Sequence, residues 1–160
     1  MTPQADRSPR GFTLIEVAVV VSIAGIIVTL GALAFSGYFQ RDSARRAAQV
    51  FAQDLVAARS FAMRSQEAVV IRFDETLMWY NVESQVTGTE LARRRFGANA
   101  DISLSAVDLL AAGDSVLFDA RGVADLSGFG GPLGSARFSS GAVGYTVSFN
   151  GMGASKIDQT

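Results

Sequence analysis

Glu16 is the single ionisable residue in the 24-residue run 12–35, FTLIEVAVVVSIAGIIVTLGALAF, and residues 17–35 carry no charge. A carboxylate carried into a bilayer costs on the order of 2.5–3.5 kcal/mol on insertion scales, so an acid in such a run calls for a partner or a function. The chemistry open to it is ion pairing. A chain cut between Gly11 and Phe12 would gain an α-amine on Phe12, one helical turn from Glu16, within the same chain or a staggered neighbour. Catalysis is poorly provided for. The 160-residue chain has no histidine and no cysteine, which removes the commonest general base, disulfides, thiolate metal sites and cysteine nucleophiles. Its one lysine, Lys156, lies in a C-terminal segment expected to be mobile. Asp74 and Glu75 read as acids of a turn. Asp119, Asp125 and Asp158 lack the alternating ligand spacing of a calcium loop, and the glycine-rich stretch 127–134 lacks the Gly-Lys-Ser/Thr of a phosphate loop and reads as a surface loop. No catalytic residue, cofactor or metal is expected.

The element carrying Glu16 must be a long helix. Twenty-four helical residues reach about 36 Å, enough to cross a hydrocarbon core of about 30 Å. No proline occurs between Phe12 and Gln66, and residues 36–66 are rich in helix formers. Phe51, Leu55, Ala58 and Ala62 form one apolar stripe, with Gln49, Gln53, Arg45 and Arg64 off it. Gly25, Gly31 and Gly37 are either close-packing points or ordinary glycines of a membrane helix.

Beyond Gln66 the pattern changes to short β-branched and aromatic runs. Residues 68–73 and 77–82 read as a hairpin, with Trp79 and Tyr80 at its core and rim, followed by strands at 91–96, 101–105, 115–118, 136–139 and 144–149. The expected fold is α+β: a long N-terminal helical spine, membrane-spanning in its first half, packed by its second half against a small antiparallel β head. The divisions are a leader at 1–11, the apolar half-helix at 12–35, the amphipathic half-helix at 36–66 and the head at 67–160.

Two cuts are compatible with this N-terminus. Ala32-Leu33-Ala34 could end an ordinary signal peptide and release a soluble exported protein starting at Phe35, although the run exceeds the usual 7–15 residues and leaves Glu16 without purpose. A plain single-pass anchor is the third option. Arginines on both sides of the run (Arg7 and Arg10; Arg41, Arg45 and Arg46) leave orientation undecided by charge.

Arg10-Gly11-Phe12-Thr13-Leu14-Ile15-Glu16-Val17 followed by an apolar helix resembles the class III prepilin signal of type IV pilins and type II secretion pseudopilins. The resemblance implies cleavage after Gly11 by a prepilin peptidase, N-methylation of Phe12, and use of Glu16 to align subunits in a helical filament. Residues 116–122 (VLFDARG) and 143–151 (VGYTVSFNG) are similar to the GspH/FimT family of minor pseudopilins. That similarity implies a structural subunit of a type II secretion pseudopilus or a type IV pilus. Its implied partners are other pilin or pseudopilin subunits and an inner-membrane assembly platform. Its implied place is the bacterial inner membrane, single-pass, with the head outside the cytoplasm.

Some FimT-like members bind DNA for uptake and end in a tail containing glycine and arginine. Residues 151–160 here hold one Lys, one Asp and no Arg, and residues 101–160 carry six aspartates against three cations. A phosphate ligand wants the opposite charge. The one basic cluster, Arg93, Arg94 and Arg95, is the candidate nucleic-acid contact, and strand alternation would turn Arg94 away from the other two.

Overall fold

The computed structural model describes residues 12–97, 100, 102–109 and 115–160. The leader 1–11, with Gly11, and Asp101 lie outside the described residues. Helix α1 runs Leu14–Ser65 and ends at Gln66, whose left-handed backbone (φ 56°) turns the chain out of the helix. The chain forms two compact units, Met1–Gly37 and Tyr38–Thr160.

In the first unit, Leu14–Gly31 has a mean hydropathy of 2.5, and none of its residues is buried within the chain. Among the described residues it is the stretch long and apolar enough to cross a membrane. Its two hydroxyls are satisfied within the helix: Ser22 Oγ donates to the Ala18 carbonyl and Thr29 Oγ1 to the Gly25 carbonyl, each at 2.8 Å. That is what a hydrocarbon surrounding demands of a polar atom.

The second unit packs the rest of α1 on two antiparallel sheets. Strands β1 (Val69–Asp74), β2 (Trp79–Ser84), β3 (Glu90–Arg95), β5 (Ser115–Phe118) and β6 (Ala124–Asp125) form one, in the order β3-β2-β1-β5-β6. Strands β4 (Ala106–Leu109), β7 (Leu133–Ser140), β8 (Val143–Asn150) and β9 (Ser155–Gln159) form the other, in the order β4-β7-β8-β9. The expected helix stripe is the buried face: Phe51, Leu55, Ala58 and Ala62 are covered, and Ala44, Ala47 and Ala48 continue it. Alanines let the sheets approach the helix closely, while Phe51 fills the space between them. Its ring meets Phe73 and Tyr80 of the first sheet at 5.4 and 5.5 Å, and Phe138 and Phe149 of the second at 5.4 and 6.0 Å. Inward positions alternate along β7 as Gly134, Ala136, Phe138 and Ser140, as a half-buried strand requires. Gly134 has no room for a side chain, since a Cβ there would lie 2.5 Å from the Phe149 ring.

The expected hairpin is present, shifted to β1 and β2, and four further strands fall where the β-branched runs place them. Three expectations change. Of the run expected at 101–105, the described residues 102–105 form no strand: Ile102 makes an isolated parallel bridge to Phe96, Leu104 is buried without a ladder, and pairing to β7 begins at Ala106. The inward positions step from Leu104 to Val107, an odd interval, so the chain bends at Ser105 before the ladder starts. The stretch 127–134 is not all loop, because Ser127–Phe129 is a 3-10 turn and Leu133 and Gly134 already belong to β7. The C-terminal segment with Lys156 is edge strand β9, paired to β8 from Phe149↔Ser155 to Tyr145↔Gln159.

Candidate functional site

Phe12 and Thr13 precede α1, and Phe12 is 83% exposed. Thr13 caps the helix: its carbonyl accepts the Glu16 and Val17 amides at 3.1 and 3.3 Å, and its Oγ1 takes a longer hydrogen bond from the Glu16 amide at 3.4 Å. Thr13-Leu14-Ile15-Glu16 therefore has the spacing of a capping box, a Thr cap with an acid three residues on, and the acid also complements the positive end of the helix dipole. The Thr-x-x-Glu spacing is the sequence signal for this cap. Glu16 itself is exposed, and among the described residues its carboxylate has no ion-pair or side-chain hydrogen-bond partner. Cleavage residue Gly11 is outside the described residues.

The second unit holds an acid in the same predicament that has been resolved. Asp54 lies on the apolar stripe, three residues after Phe51 and four before Ala58, and is buried. Its Oδ2 accepts the Tyr80 hydroxyl at 2.8 Å and the Arg94 Nε at 2.9 Å, while its Oδ1 accepts Arg94 Nη2 at 3.1 Å. Arg94 reaches it from β3, directly opposite Tyr80 in the strand register. Burial and then the Asp54 charge push the Tyr80 phenol far above its ordinary range, so it stays a donor. The hydrogen bonds to Asp54 hold the Arg94 guanidinium in its charged form more firmly still. The sequence signal for this lock is an aspartate inside an apolar stripe, and its partners lie too far along the chain to be read from spacing.

Arg93, Arg94 and Arg95 are thus split as strand alternation requires. Arg94 belongs to the helix-facing lock. On the other face Arg93 pairs with Glu90 and stands 5.3 Å over the Trp79 ring, and Arg95 is exposed opposite Trp79. Arg72, on the same outer face, is paired with Glu83 at 2.7 Å. The acids weighed for calcium are engaged locally. Asp119 accepts the Val123 and Arg121 amides at 2.9 Å each, and Asp125 accepts the Ser127 amide at 2.9 Å. These backbone donors, Val123 first for Asp119 and Ser127 first for Asp125, lower both carboxyls below their usual range. No cluster of three acids lies within reach of one metal ion among the described residues. Asp74 accepts the Leu77 amide at 2.8 Å, closing the β1–β2 turn, and Glu75 accepts the Leu109 amide at 3.2 Å.

A helix with an exposed apolar first half, whose second half packs on antiparallel sheets, defines a pilin-like subunit. The same fold occurs in the type IV minor pilin FimU of Pseudomonas aeruginosa, in two crystal forms. In one the TM-score is 0.56 at 14% identity, over 76% of this chain and 92% of that one. In the other it is 0.52 at 14% identity, over 71% and 91%. Residues 6–32 match the prokaryotic N-terminal methylation motif, which implies processing by a prepilin peptidase and is consistent with inner-membrane anchoring and an extracytoplasmic head. Residues 47–153 match the type II transport protein GspH model, and the chain belongs to the GspH family of minor pseudopilins. It is a structural subunit, not an enzyme. No curated protein sequence matches the chain significantly.

Proposed function

We propose that the chain is a minor subunit of a type II secretion pseudopilus. It is cut between Gly11 and Phe12 and N-methylated on Phe12. Residues 12–35 hold it in the inner membrane as a single pass with the head outside the cytoplasm. The assembly platform then draws it into a filament of other pseudopilin subunits, Glu16 setting its axial register.

The observation that carries this reading is the contrast between two acids on one helix. Asp54 lies in an apolar stripe and is matched inside its own chain by Arg94 and Tyr80. Glu16 lies in a longer apolar run under the methylation motif and has no such match among the described residues. In apolar surroundings both a lone carboxylate and a lone ammonium are costly. The α-amine released on Phe12 supplies the missing cation at the same depth, in the same subunit or an adjacent one. A subunit docked out of register leaves both charges unpaired, and one in register does not. An ordinary signal peptide cut after Ala34 would discard Glu16 altogether.

The description of the GspH model favours the secretion machine. The likeness to FimU supports the fold, and a type IV pilus is the rival assignment. DNA uptake draws no support from the arginine cluster, since Arg94 and Arg93 are each committed to an acid. Deleting the gene is expected to abolish or strongly reduce export of type II substrates while surface pili persist. Loss of pili with export intact would assign the chain to the pilus, and no change in either would contradict a filament role.

A further inference from the structure

We infer that the end of the head where the chain arrives from its apolar run is a phospholipid-headgroup surface, whose ligand is the phosphate of an anionic phospholipid in the bilayer. The inference rests on the membrane-anchored reading above. Tyr38, the first residue of the second unit, is only seven residues beyond Gly31. That distance is about 10 Å in a helix and about 25 Å even when fully extended, so the headgroup layer is within reach of whatever this end presents.

What it presents suits that layer. Tyr38 and Phe39 are 66% and 63% exposed, and aromatic side chains concentrate at the membrane–water interface. Arg41 and Arg45 follow one helical turn apart, both exposed and neither in an ion pair among the described residues, where the nearby Asp42 is taken by Arg46 at 2.7 Å.

The β7–β8 turn lies at the same end. Gly141, in the left-handed region at φ 60°, approaches Gln40 so closely that a Cβ would lie 2.6 Å from its Oε1. This turn borders a cleft of about 230 Å³ that also receives Arg137, Ser139 and Thr160. Arg137 is exposed and, among the described residues, makes no ion pair, even with Asp108, its cross-strand neighbour. A guanidinium and two hydroxyls lining one cleft are a donor set for a phosphate. Each cation brought to an anionic leaflet raises affinity about fivefold, so three of them make the preference measurable.

The absence of cysteine allows single-site labelling of the full processed chain. A bimane on Ala142→Cys would be read in vesicles carrying headgroup nitroxide, made of phosphatidylcholine alone or with phosphatidylglycerol. A bimane on Val20→Cys, read with acyl-chain nitroxide, reports the span separately. The Ala142 label is expected to be quenched several-fold more when phosphatidylglycerol is present. The combined change Arg41→Gln, Arg45→Gln and Arg137→Gln should remove that difference, leaving the Val20 quenching and the Trp79 emission as they were. An unquenched Ala142 label beside a quenched Val20 label, as a head held clear of the bilayer or covered by another subunit would give, overturns the proposal alone. Equal quenching in both lipids also overturns it. An unquenched Val20 label overturns the membrane reading and the proposal with it.

Discussion

Replacing Glu16 with leucine is expected to leave the chain processed and membrane-bound while lowering its recovery in sheared filaments about tenfold or more. The apolar run gains hydropathy from the change, so insertion is preserved or improved. Lost instead is the carboxylate that neutralises the Phe12 α-amine. Removing one partner of a buried ion pair costs about 3–5 kcal/mol, because the other charge is left without compensation. An amine can shed its proton, which trims the penalty. Even about 1.4 kcal/mol of it is a factor of ten in an assembly equilibrium. Glu16→Gln should behave like Glu16→Leu although it retains hydrogen bonding, whereas Glu16→Asp, which keeps the charge on a shorter stem, should fall between them and the unchanged chain. Thr13 sets a control. Thr13→Val removes the cap hydroxyl bonded to the Glu16 amide but leaves the carboxylate, so a loss as large as that of Glu16→Leu would point to helix capping rather than charge pairing. The readout is the ratio of filament to membrane signal on immunoblots.

Arg94→Met is expected to destabilise the head by about 3 kcal/mol, the largest loss among single changes at the Asp54 lock. The change leaves the Asp54 carboxylate, whose side chain is only 10% exposed, with the Tyr80 hydroxyl as its one remaining partner among the described residues. Asp54→Asn should cost less, about 1–2 kcal/mol, because Arg94 is 45% exposed and can return to water while the amide oxygen still accepts from Tyr80. Tyr80→Phe should cost about 1 kcal/mol, since the carboxylate keeps its bidentate guanidinium. A loss of about 3 kcal/mol lowers the melting midpoint of a unit this size by on the order of 10 °C, which Trp79 fluorescence of the full chain in detergent can follow. Arg95→Met, one residue along on the outer face, should change the midpoint little. If Arg94→Met and Arg95→Met proved equal, the lock would not hold the helix to the sheet.

Much of this arrangement is written locally. The buried stripe at Phe51, Leu55, Ala58 and Ala62 follows from helical period alone, and β5 and β8 from runs of β-branched and aromatic residues. The parts that are not legible depend on distant pairing. Strand β9, Ser155–Gln159, has one apolar residue, Ile157, and exists because β8 offers it an edge. Strand β6 is two residues long and rests on β5. The phase change between Leu104 and Val107 conceals β4, since simple alternation continues from Ile102 to Leu104 and then fails. At the candidate site, the helix start and Glu16 are visible because a charge in an apolar run has few readings. The Asp54–Arg94–Tyr80 cluster joins residues forty positions apart, and only the register Tyr80↔Arg94 brings the arginine to the helix.

The central claim, that the apolar helix is retained and Glu16 is matched by a newly exposed terminal amine, is tested most directly by intact mass and N-terminal sequencing of the native polypeptide from the membrane fraction. The account predicts a chain beginning at Phe12 and carrying one added methyl group on its amine. A native chain beginning at Phe35, or one that keeps Met1 and its leader, would contradict it.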